Sequence, residues 1–236
     1  MQQVRNQLIQ EAKNLGKLFQ NQNYKTLNEV LDGSQKFQAL NEFQESKKLF
    51  QNDKINGQLF GIIEENEKYF FQSGIVSYAQ VMEDPNQQFS LGIFFIPKNF
   101  HMPIHDHPGM YVFQKVLFGE GESVQINLDS KPNIIKQFLY PIKQLQGDQI
   151  KNVTIQKKCL KQNDFEVITP EKNNIHGYRT SEKNFAFLDF LFPHYDFKQR
   201  YCNFYNIIEE SEKQKESIIQ IKGMDNDYRT RRVEIQ

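Results

Sequence analysis

The sequence holds five histidines, and three of them, His101, His105 and His107, fall in the short segment FHMPIHDHPGM. Along a β-strand, residues i and i+2 face the same way, so His105 and His107 can aim two imidazoles at one point. Two neutral imidazoles converging in this way are a metal-binding device. The pair alone is a weak sign. Its setting strengthens it: Pro103 and Pro108-Gly109 bracket the two residues and restrict the backbone, and the apolar strand Ile93 to Ile96 precedes them. A third ligand should come from a strand distant in sequence and adjacent in space. His176 fits, following the turn-like run Thr169-Pro170-Glu171-Lys172-Asn173-Asn174-Ile175. His101 shares the parity of the pair, but Pro103 interrupts the strand between them, and a packing or rim position is the better reading.

The elements that must position these residues change character along the chain. Residues 3–50 read as helix, with Val4, Leu8, Ala12, Leu15 and Phe19 at three-to-four spacing, and so too Leu27, Val30 and Leu31, then Phe37, Leu40, Phe43 and Phe50. Asp32-Gly33-Ser34 is the expected break between the last two helices. These helices are expected to pad the outer face of a β-structure. From about residue 68, YFFQSGIVSYAQVM, FSLGIFFIP, YVFQKVLFGEGESVQINL, IQKKCLKQNDFEVI and FAFLDFLFP are strand-like runs bounded by Pro, Gly, Asn or Asp. Many short strands without intervening helices indicate an all-β sandwich or barrel. Residues 129–152 are expected to form a hairpin with a long tip. The charged tail from about residue 206, with its apolar patch at Ile218, Ile219 and Ile221, is expected to lie on the surface or fray.

Bulk composition bounds the partners. The chain has 236 residues, 38% hydrophobic and 13% aromatic, with 21 Phe to build a core. Acidic and basic residues balance at 29 each, which favours neither nucleic acid nor an anionic membrane as partner. Cys159 and Cys202 are too few for a disulfide framework, and a reducing compartment, cytoplasm or nucleus, is expected. The N-terminal MQQVRNQLIQEAKNL lacks the apolar stretch of a signal peptide, and no run of about 18 apolar residues occurs to span a membrane. A monomer is the default expectation.

Three blocks of the sequence together resemble a known family. Ile96-Pro97, then Met102-Pro103-Ile104-His105-Asp106-His107-Pro108-Gly109-Met110, then Lys115-Val116-Leu117-Phe118-Gly119 are similar to the first signature of the cysteamine dioxygenase and plant cysteine oxidase family. Asn174-Ile175-His176 follows, then Phe187-Leu188-Asp189-Phe190-Leu191-Phe192-Pro193-His194-Tyr195, then Arg200-Tyr201-Cys202-Asn203-Phe204-Tyr205. The resemblance covers about residues 88–206. It implies a cupin-like double-stranded β-helix (jelly-roll) barrel with N-terminal helices packed outside. The expected organisation is a helical extension over 1–55, a thiol dioxygenase domain over 56–206 and a charged tail over 207–236.

The resemblance also implies an Fe(II) enzyme that adds both atoms of dioxygen to a thiol, giving a sulfinic acid. Family members act on cysteamine, or on an N-terminal cysteine in a role that couples oxygen level to target degradation. His105, His107 and His176 match the iron ligands, and Asp189 and Tyr195 match residues of the substrate pocket. A metal-binding cupin without turnover is the alternative.

This chain departs from the family in three places. Asn173 stands where Gly is usual, and Asn tolerates the left-handed backbone better than most residues. His194 replaces the second Pro of Pro-Pro-Tyr at the pocket mouth. Phe204 stands where some members have a Tyr crosslinked to the cysteine at 202, so that crosslink cannot form here.

The residue types suit this chemistry. Three neutral imidazoles leave Fe(II) its full charge and three open positions, where the commoner facial triad carries a carboxylate. The missing carboxylate favours an anionic thiolate from the substrate. Alternation points Asp106 away from the pair, to a turn or strand-edge hydrogen bond. Asp189 lies in an apolar run and needs a partner: Arg200, a ligand imidazole or the substrate amine. Tyr195 is expected either to reach substrate sulfur or bound oxygen, or to pack with its hydroxyl at the rim. Cys202 and Cys159 read as small hydrophobes.

Overall fold

A computed structural model describes residues 2–23, 27–86, 88–128, 146–195, 200–211, 216–223 and 228–235. Three helices come first: α1 (Gln2–Asn21), α2 (Leu27–Gln38) and α3 (Asn41–Phe50). A short helix α4 (Glu67–Phe70) leads into the strands β1 (Val76–Glu83), β2 (Ser90–Ile96), β3 (His101–Asp106), β4 (Tyr111–Leu128), β5 (Gln149–Lys161) and β6 (Phe165–Ile168). The remaining strands are β7 (Ile175–Arg179), β8 (Phe185–Phe192), β9 (Phe204–Glu209), β10 (Ser217–Gly223) and β11 (Thr230–Arg232).

Period-two alternation sorts the strand side chains into two faces. Leu91, Ile93 and Phe95 of β2, Tyr111 and Phe113 of β4, and Leu188, Phe190 and Phe192 of β8 form one core with Leu8, Ala12 and Leu15 of α1 and Phe37, Phe43 and Phe50 of the next two helices. Phe50 stacks on Phe190 at 5.1 Å between centroids, and Phe43 meets Phe113 edge-on at 5.2 Å. The amphipathic helices therefore bury their apolar faces on the sheet, as the sequence predicts. Lys115, on the same face of β4, is fully buried and donates to the carbonyls of Asn163 at 2.7 Å and of Gln51, just past the end of α3, at 3.2 Å. An ammonium at a helix C-terminus is favourably placed.

β4 is the pivot of the sheet. Its first half pairs with β6 and β8, and its second half with β5 and β7. Gly119 lies between the halves with φ +71°, where a Cβ would stand 1.8 Å from the Asn184 carbonyl oxygen, so only glycine fits. From β4 the pairing runs through β5, β10, β9 and β3 to β7, which pairs back onto β4.

Three expectations need correction. α2 runs unbroken through Asp32-Gly33-Ser34, and the chain turns at residues 39–40. Glycine costs a helix interior about 1 kcal/mol, and here Ser34 is buried with its hydroxyl donating to Glu171 at 2.8 Å, so packing outweighs propensity. The tail is part of the sheet: β10 sits between β5 and β9 with Ile219 and Ile221 buried, and β11 pairs with β1. Its charges crowd the run from Glu209 to Glu216, and a window average spreads them over the apolar residues of β10. IQKKCLKQNDFEVI is two strands, parted by a turn with Asn163 at φ +74°. The hairpin tip over 129–145 lies outside the described residues, although its flanks, β4 and β5, pair antiparallel.

Candidate metal centre

The strand register brings the three predicted ligands together. β3 and β7 pair so that His105 and His176 are directly opposite. His107 follows β3 in a turn closed by Met110 N–H donating to the His107 carbonyl at 3.1 Å. Asn174 clamps that turn at two points: its side-chain amide donates to the His107 carbonyl at 2.8 Å, and its oxygen accepts from the His107 N–H at 3.2 Å. Asn173 adopts φ +59°, so the left-handed turn survives without glycine.

The ring centroids form a nearly equilateral triangle with sides of 5.0, 4.8 and 4.9 Å. All three ligand atoms lie within 4.8 Å of one another, and all three residues are buried. His107 Nε2 and His176 Nε2 are 2.8 Å apart. Two nitrogens held by one ion at about 2.0–2.1 Å and a right angle stand roughly 3 Å apart, so the spacing fits adjacent ligands of a metal. Burial holds the His105 imidazolium below its ordinary range, and burial plus the neighbouring rings holds His107 and His176 well below it. The rings are neutral donors. Among the described residues no carboxylate joins the group.

Each ring is held from behind. His105 Nδ1 lies 2.9 Å from the Pro103 carbonyl, which only accepts, so Nδ1 carries the proton and Nε2 the lone pair. Tyr195 donates its one proton to the Asp106 carbonyl at 2.6 Å, which leaves its oxygen to accept from His107 Nδ1 at 2.7 Å. Tyr195 thus stands behind His107 and not at the rim. His176 Nδ1 lies 3.0 Å from the hydroxyl of buried Tyr178, which reaches Gln114, whose amide donates to Asp189 at 2.6 Å.

Asp106 points away from the rings, as alternation requires, and serves β9. It accepts from Asn203 N–H at 2.7 Å, Asn203 Nδ2 at 2.9 Å and the Tyr205 hydroxyl at 2.8 Å. Arg200 Nε donates to the His194 carbonyl at 2.9 Å. His101 is exposed, and His194 faces Ser90 at 3.1 Å and Glu83 at 3.5 Å. Neither belongs to the cluster. Cys159 is exposed, so the reading of it as a buried small hydrophobe is not upheld.

Sequence reasoning missed Tyr178, Gln114 and Asn174. The signals were present: Tyr178 is two residues beyond His176 on one strand, and Gln114 is an uncharged polar residue inside the apolar run YVFQKVLF.

A family model described as PCO_ADO matches residues 36–233. The chain belongs to this plant cysteine oxidase and cysteamine dioxygenase family. It is 31% identical over 143 residues to 2-aminoethanethiol dioxygenase of Mus musculus, covering 57% of this chain and 55% of that protein. It is 35% identical over 134 residues to a probable 2-aminoethanethiol dioxygenase of Dictyostelium discoideum, covering 55% of each. Over 32 residues it is 59% identical to plant cysteine oxidase 1 of Arabidopsis thaliana, 14% of this chain and 11% of that one. The chain spans about half the length of the 2-aminoethanethiol dioxygenases it matches.

The buried acid gives a pH prediction. Burial pushes Asp189 up to about 7, with the Gln114 hydrogen bond opposing. Between about pH 4 and 7 the folded chain keeps a proton that the unfolded chain has released. This carboxyl therefore lowers stability as pH rises through that window, and the loss is complete above it. In metal-stripped protein, the melting temperature of Asp189→Asn relative to wild type should climb by several degrees from pH 5 to pH 8. A flat difference contradicts the assignment.

Proposed function

We propose that the chain is an Fe(II)-dependent dioxygenase that converts a thiol to a sulfinic acid, RSH + O2 giving RSO2H. The observation carrying this reading is the buried three-imidazole cluster without a carboxylate, inside the segment that the family model matches. His105, His107 and His176 would hold the metal, and bound iron would supply the redox chemistry between sulfur and dioxygen. The neutral ligand set leaves the ion its full charge, which favours a thiolate and so selects this substrate class. Tyr195 and Asp189 serve the site through the ligands His107 and His176. Cysteamine and an N-terminal cysteine are the candidate substrates, the latter making the enzyme an oxygen sensor whose product marks a target for degradation. The ring of pairings from β4 to β7 supports reading the sheet as a cupin-type jelly-roll barrel.

The test loads the chain with Fe(II) without oxygen, then adds air with cysteamine or with a Cys-initiated peptide. A product heavier by two oxygen atoms is expected for at least one of them. Iron-bound protein that leaves both thiols unchanged marks a metal-binding module without turnover and overturns the proposal.

A further inference from the structure

Tyr178, Gln114 and Asp189 form a buried chain of hydrogen bonds that ends on His176, and its direction follows from which atoms can donate. Above about pH 7, where the buried Asp189 is ionised, its carboxylate only accepts. Gln114 Nε2 donates to its Oδ1 at 2.6 Å. With the amide nitrogen committed there, the Gln114 oxygen faces Tyr178 and accepts the hydroxyl's only proton. The Tyr178 oxygen is left with lone pairs alone for His176 Nδ1, 3.0 Å away. Nδ1 must then carry the ring proton, and Nε2 presents its lone pair toward His107.

We propose that Asp189, Gln114 and Tyr178 are positioning residues that fix His176 as its Nδ1–H tautomer and so ready Nε2 for the metal. The inference rests on reading the three histidines as metal ligands. His105 and His107 are fixed by backbone carbonyls, the first directly and the second through Tyr195, and a carbonyl cannot reverse. The His176 chain ends on a side chain and can. An amide at position 189 donates as well as accepts. It would let Gln114 flip, turn the Tyr178 proton toward Nδ1, and move the ring proton to Nε2, where it blocks ligation.

The experiment uses the full chain with two metals, at about pH 8.5 so that Asp189 is ionised. Co(II) affinity is measured by competition with a coloured chelator, and the Nδ1–H resonances of the three ligand rings are followed in the Zn(II)-loaded protein. Tyr178→Phe and the isosteric Asp189→Asn should each weaken Co(II) binding by about tenfold to a hundredfold, the usual cost of losing a partner behind a ligand. The His176 Nδ1–H signal should shift and exchange faster, while those of His105 and His107 stay in place. A general loosening of the fold would move all three together. Affinity within about twofold of wild type in both variants, or three signals moving alike, overturns the proposal. Neither readout involves thiol oxidation, so a chain that never oxidises a thiol can still pass. A wild-type chain that binds neither ion overturns this inference together with the metal-site reading.

Discussion

A His176→Ala variant is expected to lose tight metal binding and, with it, thiol oxidation. The loss should exceed the roughly hundredfold upper range seen when only a partner behind a ligand is removed. The geometry gives the reason. With three imidazole donors inside 4.8 Å and no carboxylate among them, no described side chain stands ready as a substitute. His105→Ala and His107→Ala should behave alike, because the centroid triangle is close to equilateral. His101→Ala is the control: it shares the parity of the pair but is exposed and outside the cluster, so its iron content should match wild type. Iron bound per chain and Co(II) affinity are the measurements. Retention of tight binding in His176→Ala would falsify the ligand assignment.

The second large effect concerns stability. Replacing Asp106 with alanine strands three buried donors, the Asn203 N–H and side-chain amide and the Tyr205 hydroxyl. Each buried donor left unsatisfied costs about 1–3 kcal/mol, so the three together cost about 3 kcal/mol or more, a large share of the roughly 5–15 kcal/mol that holds a typical domain together. The urea midpoint should fall accordingly. Because β9 pairs with β3 at Ile104 and His105, metal affinity should fall with it. Glu45→Ala is the comparison. That carboxylate is 2.7 Å from Lys48 with both side chains exposed, a contact worth no more than about 1 kcal/mol. Equal midpoints for the two variants would show that the Asp106 network contributes nothing special.

The three-histidine cluster was largely legible in the sequence. A period-two pair of histidines shares a face whatever the surroundings, and the turn-like run before His176 marks a strand about to begin. Asp189 announced itself too, since an acid in an apolar run must find a partner. The family resemblance carried the rest of the site's expected chemistry.

What local sequence left open was which partner each polar group takes. Asp189 could reach Arg200, an imidazole or a substrate amine, and only the pairing of β4 with β8, setting Gln114 against Asp189, selects the amide. Tyr195 could face the substrate or pack at the rim, and the tertiary fold instead sets its hydroxyl between the Asp106 carbonyl and His107. The tail read as a surface segment because its charges crowd the run from Glu209 to Glu216; the burial of β10 depends on β5 and β9 offering edges on either side. The unbroken α2 depends likewise on Glu171, far along the chain, meeting Ser34. Periodicity is a property of neighbours in sequence and fixes which way a side chain faces. Hydrogen-bond partners are set by strand register between distant segments, and register is a property of the whole sheet.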